Sequence, residues 1–255
     1  MEENFDNRRQ QATPPPLYGV GDTYTSNNIG QRNYAAMPTS AIFNRVFLWM
    51  FGALLVTALT ALLVVHTPLY FAIQGAGMWV CIIAELVLVF VLSARIHKMS
   101  FTTATIMMVV YSILNGVTLS VIFAVYTMTS IATTFFVTAG MFGVMAFVGF
   151  SVKRDLLPLY RYLMMGLIGL ILASVIYLIV GGAILNLIIS LIGVVLFVVL
   201  TAVDTNRIKN DLENYNGVLD NESVQKIALM GALSLYLDFI NLFLYLLRFI
   251  GRASD

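Results

Sequence analysis

Seven long apolar runs, separated by short polar links, set the plan of this chain. They fall at residues 46–65, 75–94, 103–126, 131–150, 162–180, 183–203 and 227–250. Each has about the 20 residues that ~30 Å of hydrocarbon demands of a helix, and a helix satisfies its own backbone in lipid. The pattern predicts an all-α integral membrane protein with seven transmembrane helices. One link, residues 204–226, is longer and strongly polar.

The last run, IALMGALSLYLDFINLFLYLLRFI, is unlike the others because it carries a carboxylate, Asp238, near its middle. A charge at that depth costs at least ~2.5–3.5 kcal/mol on insertion scales, so it should face protein or water. Gly231, Ser234, Asp238, Asn241, Tyr245 and Arg248 follow at steps of three and four, forming one polar stripe. Such a helix belongs inside a bundle, which predicts that the last helix is central.

Composition agrees. The chain is 60% hydrophobic and 11% charged over 255 residues, far from a soluble domain. A net charge of +1 gives no basic surface for nucleic acid, and no such partner is expected. The single cysteine, Cys81, cannot form an internal disulfide and is no metal signal by itself. Residues 1–41, with Pro14-Pro15-Pro16 and many Asn, Gln and Gly, read as a disordered tail ahead of a membrane domain at 42–252. The proline run is alternatively a docking motif.

Charge orients the bundle. Twelve of the fourteen basic residues fall on one side: Arg8, Arg9, Arg32 and Arg45, then Arg95 and Lys98, Lys153, Arg154 and Arg161, and Arg207, Lys209 and Lys226. Only Arg248 and Arg252 lie on the other. The positive-inside rule places the N-terminus in the cytoplasm and the C-terminus outside. Small residues at four-residue spacing, Ser112, Gly116 and Ser120, and again Gly169 and Ala173, predict close helix packing.

Three acidic residues could carry chemistry: Glu85, Asp204 and Asp238. Asp204 ends a second stripe of Asn186, Ser190, Gly193, Phe197, Thr201 and Asp204, and two striped helices should face each other. Depth opposes the pairing, since Asp238 lies ~16 Å beyond Ile227 whereas Asp204 ends its run. Close approach requires the sixth helix to continue past Asp204, or the seventh to begin higher or bend; otherwise Asp204 starts the loop and pairs with Arg207 or Lys209. Two carboxylates in a low-dielectric site would share a proton and titrate as a coupled unit. Arg95 would favour the ionised form, or it snorkels to lipid phosphate. Glu85 is either a pathway ligand or a satisfied structural carboxylate. Roughly 80° around the helix separates it from Arg95, so spacing implies no ion pair.

The stretches LSLYLDFINLFLYLLRFIG (233–251), VDTNRIK (203–209), KRDL (153–156) and FNRVFLWMFGALLVTAL (43–59) resemble the transmembrane Bax inhibitor motif family, also called Bax inhibitor-1-like, in a bacterial member. The likeness covers residues 42–252, and Val203 departs from a Tyr often found there. The resemblance implies a last helix wrapped by the other six, and a pH-sensitive calcium leak with an aspartate pair matching Asp204 and Asp238. By position in the second run, Arg95 matches the family's membrane arginine and Glu85 its acidic partner.

The leading expectation is therefore a proton-regulated cation leak in a bacterial inner membrane. Asp204, Asp238 and Arg95 form the pH sensor, and Glu85, Asn115, Asn241 and Ser234 line the path. Calcium takes six to eight oxygen ligands, and no EF-hand or dense acidic cluster occurs, so Asp204 and Asp238 suit a weak transit site. Calcium is then cargo, and no cofactor is expected. The alternative is a non-transporting regulator that binds a membrane-anchored protease or a stress or survival partner. No enzyme is expected: Asp238 follows Leu235-Tyr236-Leu237 where an intramembrane aspartyl protease has Gly-x-Gly-Asp, and no lysine lies in a run to hold retinal.

Overall fold

A computed structural model describes residues 38–215 and 219–252. The expected tail lies outside the described residues up to position 37; residues 39–41 already belong to the first helix. The elements are α1 (Thr39–Val65), a short α2 (Leu69–Ile73), α3 (Ala76–Arg95) with a 3-10 turn (Ile96–Lys98), α4 (Phe101–Val125), α5 (Met128–Ser151), α6 (Leu157–Val180), α7 (Ala183–Tyr215) and α8 (Asn221–Ile250). Seven of them are long and apolar enough to cross a membrane.

Local chemistry sets the ends. Ser100, Thr127 and Asp220 cap α4, α5 and α8 by accepting backbone N–H bonds from Thr103, Ser130 and Ser223. Pro158 sits in the first turn of α6, where its missing N–H costs nothing. Gly181 and Gly182, at φ of 69° and 102°, break the chain between α6 and α7.

The polar link expected at 204–226 is mostly helix. α7 runs eleven residues past Asp204, and α8 begins six before Ile227. Asp204, Ile208, Leu212 and Tyr215 form a buried stripe on α7, and Val224, Ala228 and Gly231 form one on α8. Charged neighbours hid a helical period inside a segment that composition alone made a loop.

α8 is the most buried span: 67% of its most apolar window is buried, against 39% for α4 and α7 and 6% for α3 and α6. Its principal partners are α7, α1, α5 and α4, while α3 packs on α4 and α6 on α7. The enclosing layer is thus uneven. Two ties close the bundle's ends. The Phe101 N–H donates to Glu222 Oε1 at 3.1 Å, at the end carrying the α3–α4, α5–α6 and α7–α8 links. At the other end, the Arg252 N–H donates to Ser130 Oγ at 2.9 Å.

Of the two small-residue repeats, one packs as expected. Ser112, Gly116 and Ser120 are buried, and a Cβ on Gly116 would lie 2.6 Å from the Thr57 carbonyl oxygen of α1. Gly169 is exposed with nothing within 4 Å and faces away from the other described helices, while Ala173 is half-buried against the core. The tightest crossing is elsewhere: a Cβ on Gly149 would stand 2.1 Å from the Ala202 carbonyl oxygen, which fixes α5 against α7.

Candidate functional site

The two polar stripes face each other. Gly231 lies on the Ile208 side chain, and Gly193 lies under the Tyr245 ring, which stacks on Phe197 at 5.7 Å. Between these contacts the Ser234 hydroxyl donates to Asp204 Oδ2. This antiparallel register sets Asp238, one turn beyond Ser234, level with Leu200 and Thr201.

Asp204 and Asp238 are 4% and 5% exposed, so both carboxylates are withdrawn from solvent in the seam between α7 and α8. Asp238 lies within electrostatic range of Asp204 and Arg207. Among the described residues, Asp238 Oδ2 has no hydrogen-bond partner, nor has Asp204 Oδ1. The nearest cation is Arg207, 3.8 Å from Asp204 Oδ1 one turn along α7, with its guanidinium also 5.2 Å from the Tyr160 ring centre. Both readings of Asp204 therefore hold in part: the helix continues past it to meet α8, and the residue still pairs with Arg207. Lys209 instead donates to the Phe150 carbonyl at 3.0 Å.

Arg95 is not brought to this pair. It is exposed at the end of α3 and makes no hydrogen bond or ion pair among the described residues. The sensor expected from Asp204, Asp238 and Arg95 is corrected in this respect: the cation beside Asp204 is Arg207, because α3 packs on α4, away from α7.

Glu85 and Asn115 form a separate cluster. Asn115 Nδ2 donates to Glu85 Oε2 at 3.2 Å, and the Thr118 hydroxyl to Oε1 at 2.8 Å. The Tyr236 hydroxyl donates to Asn115 Oδ1 at 3.1 Å and pairs with the Thr57 hydroxyl at 2.7 Å. The Thr57 hydroxyl also lies 3.0 Å from the Ser112 carbonyl, to which it donates, so one hydrogen-bonded cluster joins α1, α8, α4 and α3. Tyr236 is fully buried on the side of α8 away from Asp238. Asn241 belongs to neither cluster, donating to its own helix at the Leu237 carbonyl, 2.8 Å. Sequence reasoning missed Thr57 and Tyr236, although Thr57 sits on the buried stripe Val46, Met50, Ala53, Thr57, Ala61.

Also missed was Asn206, which is wholly buried beside Asp204. Its Nδ2 donates to the Gly149 and Val152 carbonyls at 3.1 Å each, and its Oδ1 accepts the Leu156 N–H at 3.0 Å. One amide thereby closes the end of α5 and the start of α6 onto α7. The stretches 153–156 and 203–209 meet at this residue, and every residue from 200 to 206 is buried. Among the described residues, no group of three or more His, Cys, Asp or Glu could hold a metal ion.

The sequence has counterparts among known proteins. The family model described as inhibitor of apoptosis-promoting Bax1 matches residues 39–255. The inner membrane protein YbhL of Escherichia coli K12 is 44% identical over 211 residues, covering 82% of this chain and 90% of that one. A Rickettsia prowazekii protein, RP147, is 40% identical over 213 residues, covering 83% and 89%. A membrane protein of Streptococcus pyogenes serotype M1 is 36% identical over 234 residues, covering 90% and 96%. This chain belongs to the Bax inhibitor-like family of multi-pass transmembrane proteins.

Proposed function

We propose that the protein is a passive, proton-regulated cation leak, with calcium as its cargo and no catalytic step. The observation that carries this reading is the pair of carboxylates buried between α7 and α8, with Asp238 Oδ2 lacking any hydrogen-bond partner. A buried acceptor left unpaired costs free energy, and a proton or a cation is what would satisfy it. Calcium needs six to eight oxygens; two carboxylates and the Ser234 hydroxyl offer fewer. Water must complete the shell, which suits transit rather than storage. Arg207 is the competing cation: while it neutralises Asp204, the seam attracts metal less strongly. The same reading puts the basic end in the cytoplasm of a bacterial inner membrane, following the charge bias.

The experiment is calcium entry into liposomes carrying the purified chain, measured against pH. Entry above protein-free vesicles, varying with pH, is expected. Entry no greater than in protein-free vesicles at every pH would remove the proposal.

A further inference from the structure

A groove opens on the outer face of α6 where it meets α7 at the basic end, and the proton-linked site does not account for its chemistry. Asp155, Tyr160, Arg161, Arg207, Met165 and Ile168 are among its lining. The charged residues gather at one end. Met165 and Ile168, both exposed, continue one and two turns further along α6, about 6 and 10 Å deeper. The groove thus has a cationic head and an apolar floor running along the axis of a membrane-crossing helix.

Its charge selects the head. Arg161 is exposed and has no hydrogen bond or ion pair among the described residues. Arg207 is partly exposed, sharing its guanidinium between Asp204 and the groove. Asp155 on the rim accepts the Leu157 N–H at 2.9 Å, and Asp204 and Asp211 lie within electrostatic range of Arg207, so Arg161 is the cation left to a ligand and Arg207 its partly shared companion. Leu157 and Pro158, the first residues of α6, also line the groove but offer no free N–H, since Leu157 donates to Asp155 and proline has none, so the two arginines carry the recognition. Guanidinium forks match phosphate oxygens.

We propose that this groove is a binding site for one anionic phospholipid. Its phosphate sits between Arg161 and Arg207, and an acyl chain lies along Met165 and Ile168. Surface lysines alone would attract anionic lipid diffusely; a groove with a fixed head and floor holds one molecule.

The test is native mass spectrometry of the full chain taken from mixed phosphatidylcholine and phosphatidylglycerol vesicles, counting lipids retained. Ion flux forms no part of the readout, so this result stands or falls separately from the leak. The parent should retain one phosphatidylglycerol in preference to phosphatidylcholine. Arg161→Gln, at an exposed position, should lower that preference about tenfold, the scale of one charge-assisted bond. Lys98→Gln, on the same end but outside the groove, should leave it unchanged. Ile168→Ser should weaken retention, and excess inorganic phosphate should not displace the lipid. Equal losses for Arg161→Gln and Lys98→Gln would mean diffuse surface attraction. Equal retention of phosphatidylcholine, or complete displacement by phosphate, would equally overturn the proposal.

Discussion

The Ser234 hydroxyl donates to Asp204 Oδ2 across the seam between α7 and α8. It joins the two polar stripes by a side chain-to-side chain bond at the level where α7 is enclosed all round. Replacing Ser234 with Ala should destabilise the bundle by about 1–2 kcal/mol, the range for such bonds in membranes and for charged acceptors. Unfolding by increasing denaturing detergent measures this. An unchanged midpoint would mean the contact carries no stability.

Asp204 and Asp238 should behave as one unit. Asp204→Asn and Asp238→Asn should each flatten the pH dependence of calcium entry while leaving the chain folded, since the amide is nearly isosteric. The double variant should add little, because two buried carboxylates within electrostatic range of each other titrate as a coupled pair. Effects on the pH profile that simply sum would break the coupling.

Two glycines give a paired prediction. Gly149→Ala should fail to assemble or lose at least ~3 kcal/mol, because its Cβ would stand 2.1 Å from backbone that cannot yield. Gly169→Ala, with nothing within 4 Å, should be neutral or stabilising by up to ~1 kcal/mol through helix propensity. Expression yield and thermal midpoint of the two variants decide it.

Tyr236→Phe removes the hydroxyl that links Thr57 to Asn115. The expected cost is about 1–3 kcal/mol, because a buried amide oxygen is left unpaired while the ring packing on Tyr111 survives. Thermal unfolding should show the loss, and calcium entry should keep its pH profile, since Tyr236 faces away from Asp238.

Asp220 supplies a pH signature outside the membrane. Its bond from the Ser223 hydroxyl, helped by backbone N–H groups, holds its carboxyl below the usual range. A depressed folded-state value means the cap's stabilisation is present above the unfolded value near ~3.9 and is lost as pH falls through the folded one. Asp220→Ala should therefore cost about 1 kcal/mol at neutral pH. The gap between variant and parent should close below about pH 4. A gap that persists at lower pH would assign the effect to something other than the ionised cap.

Much of the fold was legible because the bilayer forces long apolar runs, and Asp238 stood out against such a run. What stayed hidden depended on pairing between helices. Charged residues after Asp204 disguised a helix whose inward face is Ile208, Leu212 and Tyr215. Arg95 and Arg207 carry the same charge; Arg207 reaches Asp204 because it lies one turn along the same helix, whereas the packing of α3 on α4 keeps Arg95 away. Gly149 and Asn206 carried no periodic signal, since Gly149 answers to the backbone of Ala202 alone and Asn206 to three backbone groups at the end of α5 and the start of α6. Gly169 and Ala173 had the spacing of a contact without a helix opposite Gly169.

The unbroken burial of residues 200–206 has a consequence for how this sequence can drift. A helix in a bundle ordinarily offers one face to substitution, so a map of tolerated changes along it rises and falls every three to four positions. Along this stretch of α7 there is no free face, and the map should show a solid intolerant block. On α6, where Leu170 is the one residue buried, the same map should ask mainly for apolar character, with sharper demands only along the groove at Arg161, Met165 and Ile168. The stiffest part of the inheritance would then be a short length of α7 around Asp204, while on the helix beside it one apolar side chain could replace another away from the groove.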